Sequence, residues 1–156
     1  MAKSFQLGRN ERVRLREAIR NFEHQTSAEL RISIVRRVKG DPVEYAKREF
    51  VRLGMTKTAL RNGVLICIIL NQRKVVVWGD EGIHNAVPEG TWDEIVETIV
   101  AEFREGRYYD GLANAIERLG EVFGRFFPYQ SDDVNELSDE IEFSDGDAPD
   151  ANRHDR

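Results

Sequence analysis

Two carboxylates, Asp80 and Glu81, stand between Gly79 and Gly82 in the stretch WGDEGIHNAVPEGTWDE, residues 78–94, where an apolar run ends and no helix has yet begun. Paired acids at a strand end have three readings: a solvated turn, the ligands of a metal ion, or the acid and base of a hydrolase. Hard cations such as Ca²⁺ and Mg²⁺ take carboxylate, amide and carbonyl oxygens, and glycines on either side let the backbone fold around an ion. His24, His84 and His154 have no paired spacing, so the pattern does not suit zinc. There is no Gly-x-Ser-x-Gly, no phosphate-cradling glycine-rich loop and no Ser-His-Asp order. Metal-assisted hydrolysis of a phosphate ester is the enzymatic chemistry left to weigh.

The elements that must position these acids follow from hydrophobic period. Over residues 10–25, Leu15, Ala18, Ile19 and Phe22 recur at helical spacing. Leu30, Ile32 and Ile34 then alternate against Arg31, Ser33 and Val35 as in a strand with one apolar face. Asp41, Pro42 and Glu44 start a second helix that buries Val43, Ala46 and Phe50. GVLICIIL, residues 63–70, is apolar throughout, the signature of a strand covered on both faces. Asn71 and Gln72 break the run before KVVVW, which predicts a hairpin. TWDE, residues 91–94, reads as a capping box opening a helix with Trp92, Ile95, Val96, Ile99 and Phe103 inward, stopped by Gly106. A last helix from about Asp110 carries Leu112, Ala115, Ile116, Leu119 and Phe123 on one face. The order α-β-α-β-β-α-α predicts an α/β fold, a mixed-sheet sandwich with helices on both faces.

That connectivity gathers the polar residues. A helix crossover makes the first two strands parallel, so both begin at one sheet edge, and the hairpin returns the end of the third strand there. Glu29 with the lesser candidate Ser27, Arg61 with Asn62, and Asp80 with Glu81 should then lie within one or two strand spacings. Glu29 could instead pair with Arg61 or Lys57. Lys57 and Arg61 could hold a phosphate, or balance Asp80 and Glu81 as counter-charges.

Composition bounds the rest. The 156 residues, 40% hydrophobic and 33% charged, suit one domain, and no apolar run approaches the ~20 residues that span a bilayer. The N-terminus shows neither a secretory signal nor an anchor, so the expected location is the cytoplasm. Its single cysteine, Cys67, lies inside the apolar run and reads as a buried hydrophobe. Ten of the 28 acidic and two of the 23 basic residues fall in 129–156, so the tail carries about −8 and the rest about +3. The arginines of the remainder are scattered rather than clustered with aromatics, and nucleic acid is not an expected partner. The division is a domain over 1–128 and an acidic, disordered or loosely docked tail over 129–156. Val134, Leu137 and Ile141 of that tail fit one face of a short helix, with Phe143 beyond it, and could meet a protein partner.

The segments TSAELRISIV, TKTALRNGVLICI, VVVWGDEGIHNAVPEGTWDEI, EFREGRYYDGLANAIERLGEVFGRFFP and DDVNELSDEI resemble the TPM domain family, also labelled TPM phosphatase. The likeness runs from about residue 8 to 141 and is strongest to soluble, stand-alone members without a membrane anchor. It implies a mixed sheet flanked by helices, a weak Ca²⁺ or Mg²⁺ site near the sheet edge, and, by analogy with a plant thylakoid branch, acid phosphatase activity. Carried onto this chain, the implied metal ligands are Asp80 and Glu81, then Glu29 and Asn62, with Asp93 as a further candidate. The pattern departs at Arg61, where membrane-associated members often carry an acid, and a cation there works against metal affinity and inherited phosphatase activity. The expectation is a cation-binding regulatory or interaction module.

Overall fold

The computed structural model describes residues 4–129 and 141–147. It contains α1 (Arg9–Gln25), β1 (Glu29–Arg37), α2 (Pro42–Arg52), a 3-10 turn (Met55–Lys57), β2 (Gly63–Ile69), β3 (Lys74–Gly79), the single turn α3 (Glu81–His84), α4 (Thr91–Arg104), α5 (Tyr108–Phe126) and β4 (Ile141–Gly146). The sheet order is β3-β2-β1-β4. β1 lies parallel to β2, with Glu29 opposite Gly63, and β2 antiparallel to β3, with Val64 opposite Gly79. The mixed α/β sandwich read from the sequence is therefore present, as are its crossover and its hairpin.

Helices cover both faces. Leu30, Ile32 and Ile34 of β1 and Val64, Ile66 and Ile68 of β2 pack with Leu15, Ile19 and Phe22 of α1, Ile95, Ile99 and Phe103 of α4, and Leu112, Ile116 and Phe123 of α5. The other face is thinner: Val35, Leu65, Cys67 and Ile69 meet Ala46 and Phe50 of α2 and Met55 of the turn after it. All seven residues of β2 are buried, as a central strand between two layers must be. Among the described residues no helix is long and apolar enough to cross a membrane.

Three local expectations are corrected. Val43 is 40% exposed, and Glu49 takes its place on the inner face of α2, where its carboxylate accepts from Ser33 Oγ at 2.9 Å and Arg52 Nε at 2.6 Å. The capping box assigned to TWDE does not form: Gly90 caps α4 at φ +90, a conformation that favours glycine, and Thr91 is already helical. The third concerns the tail. Ile141–Gly146 is a fourth strand, parallel to β1 with Ile32 opposite Ile141, so this part of 129–156 belongs to the sheet and Ile141 and Phe143 are strand rather than helix residues. Val134 and Leu137 lie outside the described residues.

Candidate functional site

The start of β2 and the end of β3 meet at one edge, where Asp80 N donates to Gly63 O at 2.9 Å. β1 joins through Glu29 N, which donates to Asn62 O at 3.3 Å. Three segments distant in sequence thus converge as the connectivity requires.

Asp80 is 5% exposed and caps α3, its carboxylate accepting from Glu81 N at 2.8 Å. Arg61 meets the same carboxylate side-on, Nε to Oδ2 at 2.7 Å and Nη2 to Oδ1 at 2.8 Å, with Nη1 reaching Glu81 Oε1 at 3.3 Å. Two parallel charge-assisted bonds are the strongest form of this pair. They push the Arg61 pKa up, the hydrogen bond to Asp80 being the main cause. Of the roles open to Arg61, the structure shows the counter-charge to Asp80. Its backbone sits at φ +51, left-handed and uncommon outside glycine, and this bend leads the chain into β2.

The other candidates divide. Asn62 is 2% exposed, its N–H donating to Thr58 Oγ1 at 3.1 Å and its Nδ2 to Ser27 Oγ at 3.4 Å. Ser27 is itself tied to the end of α5 through its N–H to Phe127 O at 2.9 Å. Glu29 is buried at the base of β1. Lys57 is exposed at the end of the 3-10 turn. Asp93 stands on the first turn of α4 in the wall of a cleft of about 430 Å³ shared with His84, Pro88 and Trp92. Among the described residues no group of three or more Asp, Glu, His or Cys side chains is drawn together tightly enough to hold an ion. The donor types fit a hard cation, but both Asp80 oxygens are taken by the guanidinium, so an ion would have to replace Arg61.

Gly82 locks this arrangement. Its N–H donates to Arg61 O at 3.0 Å, and a Cβ there would collide with Leu60 O and stand 2.7 Å from Arg61 O. Because both obstacles are backbone, Gly82→Ala is expected to push α3 off Arg61 and lower stability by about 1–3 kcal/mol in urea denaturation. A change under about 0.5 kcal/mol, the size of an ordinary surface substitution, would show that the loop shifts freely.

Sequence reasoning missed the polar group on the other side of the sheet. Glu49, Ser33 and Arg52 form a connected set, and Arg52 Nη2 extends it to Glu142 Oε1 of β4 at 3.1 Å. The available signal was Glu49 at i+3 from the inward Ala46, together with a serine on the α2-facing side of β1.

The structure is similar to the NMR structure of the BA42 protein from the psychrophilic bacterium Bizionia argentinensis, with a TM-score of 0.83 and 33% identity over 92% of this chain and 99% of that one. The N-terminal domain of a protein from P. gingivalis shares the fold, with a TM-score of 0.65 and 18% identity over 79% of this chain and 80% of that one. Among curated proteins none matches the sequence. The model of the TPM domain matches residues 6–122, a span that takes in α1 to α4, most of α5 and every residue of the Arg61–Asp80 edge, and the chain belongs to the TPM domain family.

Proposed function

We propose that this TPM domain is a binding module, not an enzyme, and that Asp80 and Glu81, backed by Asn62 and Glu29, form a weak divalent-cation site for which Arg61 is the built-in competitor. The observation that carries the reading is the side-on pair between Arg61 and the buried Asp80. It holds a positive charge where a Ca²⁺ or Mg²⁺ ion would be held, on a carboxylate whose remaining neighbour is a backbone N–H. Asp80 therefore serves as a charge acceptor. The groups bonded to it are a guanidinium and an amide, neither of which it could activate as a nucleophile. Arg61, occupied by Asp80 and Glu81, is likewise not presented to a phosphate.

A cation then binds only the fraction of molecules in which Arg61 has swung out, which weakens apparent affinity by that fraction. The test is a Ca²⁺ and a Mg²⁺ titration followed by backbone amide NMR on the natural chain and on Arg61→Ser. The natural chain should saturate only at about millimolar concentration, with shifts confined to residues near Glu29, Asn62, Asp80 and Glu81, Arg61 among them. Arg61→Ser should bind about tenfold more tightly, as expected when a competitor present in nine molecules of ten is removed. Saturable shifts in neither protein would sink the reading. Hydrolysis of a phosphate monoester that disappears in EDTA and in Asp80→Asn would replace it with a phosphatase.

A further inference from the structure

β4 differs from the rest of the sheet. β2 is buried at every position and β3 at every second one, whereas β4 buries only Ile141, leaving Phe143 43% exposed. Besides its ladder with β1, it is held by side-chain contacts along its rim. Glu142 lies between Arg52 Nη2 at 3.1 Å and Arg31 Nη2 at 3.6 Å. Asp145 meets Arg36 Nε at 3.2 Å, and Asp147 closes the end by accepting from Lys39 N at 2.8 Å while its own N–H donates to Arg37 O at 2.8 Å. The Arg12 guanidinium lies 4.5 Å from the centre of the Phe143 ring. Gly146, at φ +76, passes so close to Arg37 O and the Val35 side chain that any Cβ would collide.

Three arginines reading two carboxylates, a slot for one apolar side chain and a passage only glycine fits amount to sequence recognition of an extended peptide. The ladder along β1 adds the main-chain part of strand addition. We propose that the β1 edge is a docking surface for an acidic, extended segment of a partner protein, entering parallel to β1, and that residues 141–147 occupy it in cis. The partner strand would place an apolar residue opposite Ile32, a carboxylate next to it against Arg31 and Arg52, a second acid at Arg36, and glycine beside Arg37. The role of this strand is then to guard the surface.

The test uses the full chain carrying Ile141→Asp and Gly146→Val, which removes the apolar anchor and blocks the glycine passage, with its remaining fold checked by the amide spectrum of β1 to β3. A fluorescein-labelled peptide IEFSDGD is the probe. The double variant should bind it saturably, and the natural chain about tenfold more weakly or worse because its own strand holds the slot. Replacing the peptide's glutamate and its first aspartate, the two acids that meet arginines, with lysine, or combining Arg31→Glu with Arg52→Glu in the variant, should abolish binding. A folded variant that ignores the peptide overturns the proposal, and so does a variant that dimerises, which would give the edge to a second copy. Should the variant not fold, amide exchange on the natural chain decides: Ile141–Gly146 must exchange well before Gly63–Ile69, and equal protection overturns the idea of a displaceable strand.

Discussion

Phe123→Ala should lower the unfolding free energy by about 3–5 kcal/mol, the range for an aromatic truncated in a closed core. In a chain of this length that is a fall of about 6–20 °C in Tm. Phe123 is fully buried, with its ring edge-on to Phe22 and Trp92 at 5.9 Å each and to Phe127 at 6.5 Å. It joins α1, α4 and the end of α5, three elements that cannot close around the missing ring without separating. The loss should be felt at the candidate site. Trp92 rests against Gly79 so closely that a Cβ there would lie 3.0 Å from its ring, and Gly79 is the residue before Asp80. Freed on its Phe123 side, Trp92 should relax, and the amide resonances of Gly79 and Asp80 should move although both lie outside the mutated cluster. Chemical denaturation gives the first quantity and an amide spectrum the second. A loss below about 1 kcal/mol, far under the usual cost of such a truncation, would show that the cluster collapses around the gap.

The path from Phe123 to Asp80 also shows which parts of this molecule local sequence can disclose. The stripe ending at Phe123 is one helical period, and the apolar β2 has one plausible place in a sheet, so layers and strand directions follow from pattern alone. The gathering of Asn62, Asp80 and Glu29 follows from topology, because a crossover and a hairpin leave the relevant strand ends at one edge. The bond between Arg61 and Asp80 was visible only as one option among several. Glu29 and Glu81 compete on paper for the same guanidinium, and the choice depends on the left-handed bend at Arg61 and on Gly82 seating α3 against it.

β4 was not legible for a different reason. Its residues IEFSDG are mostly polar because this edge strand, unlike β3, buries only Ile141, and its partner strand ends more than a hundred residues earlier. Composition reads such a segment as tail. Glu49 escaped for a related reason: a carboxylate on the inner face of α2 makes sense only once Ser33 and Arg52 are known to satisfy it, and both contacts are tertiary or depend on a side chain folding back along its own helix.

Cys67 supplies the second large effect, read through pH. It is fully buried in the middle of β2, facing Phe50, Met55 and Ala46 in the thinner layer. Burial, and secondarily the nearby charge of Glu49, push its thiol up from 9.0 to about 12. Between those values the unfolded chain has lost its proton and the folded chain has kept it. The folded state therefore binds more protons, and stability must fall as pH rises through this window. At about 1.4 kcal/mol for each unit, the three units amount to about 4 kcal/mol by pH 12, with none of the loss present below pH 8. Tyr45, also raised by burial first, adds a loss of the same sign at higher pH. Urea denaturation of the natural chain and of Cys67→Ala at pH 8, 10 and 11 separates the two residues. The alanine variant starts less stable, from the lost sulfur contacts, and should approach the natural chain by about 1.4 kcal/mol per unit above pH 9. Curves that stay parallel would mean that the thiolate is tolerated inside, and would reopen Cys67 as a reactive group. Convergence identifies it as a core residue whose nucleophile is withheld at every pH where the fold is stable.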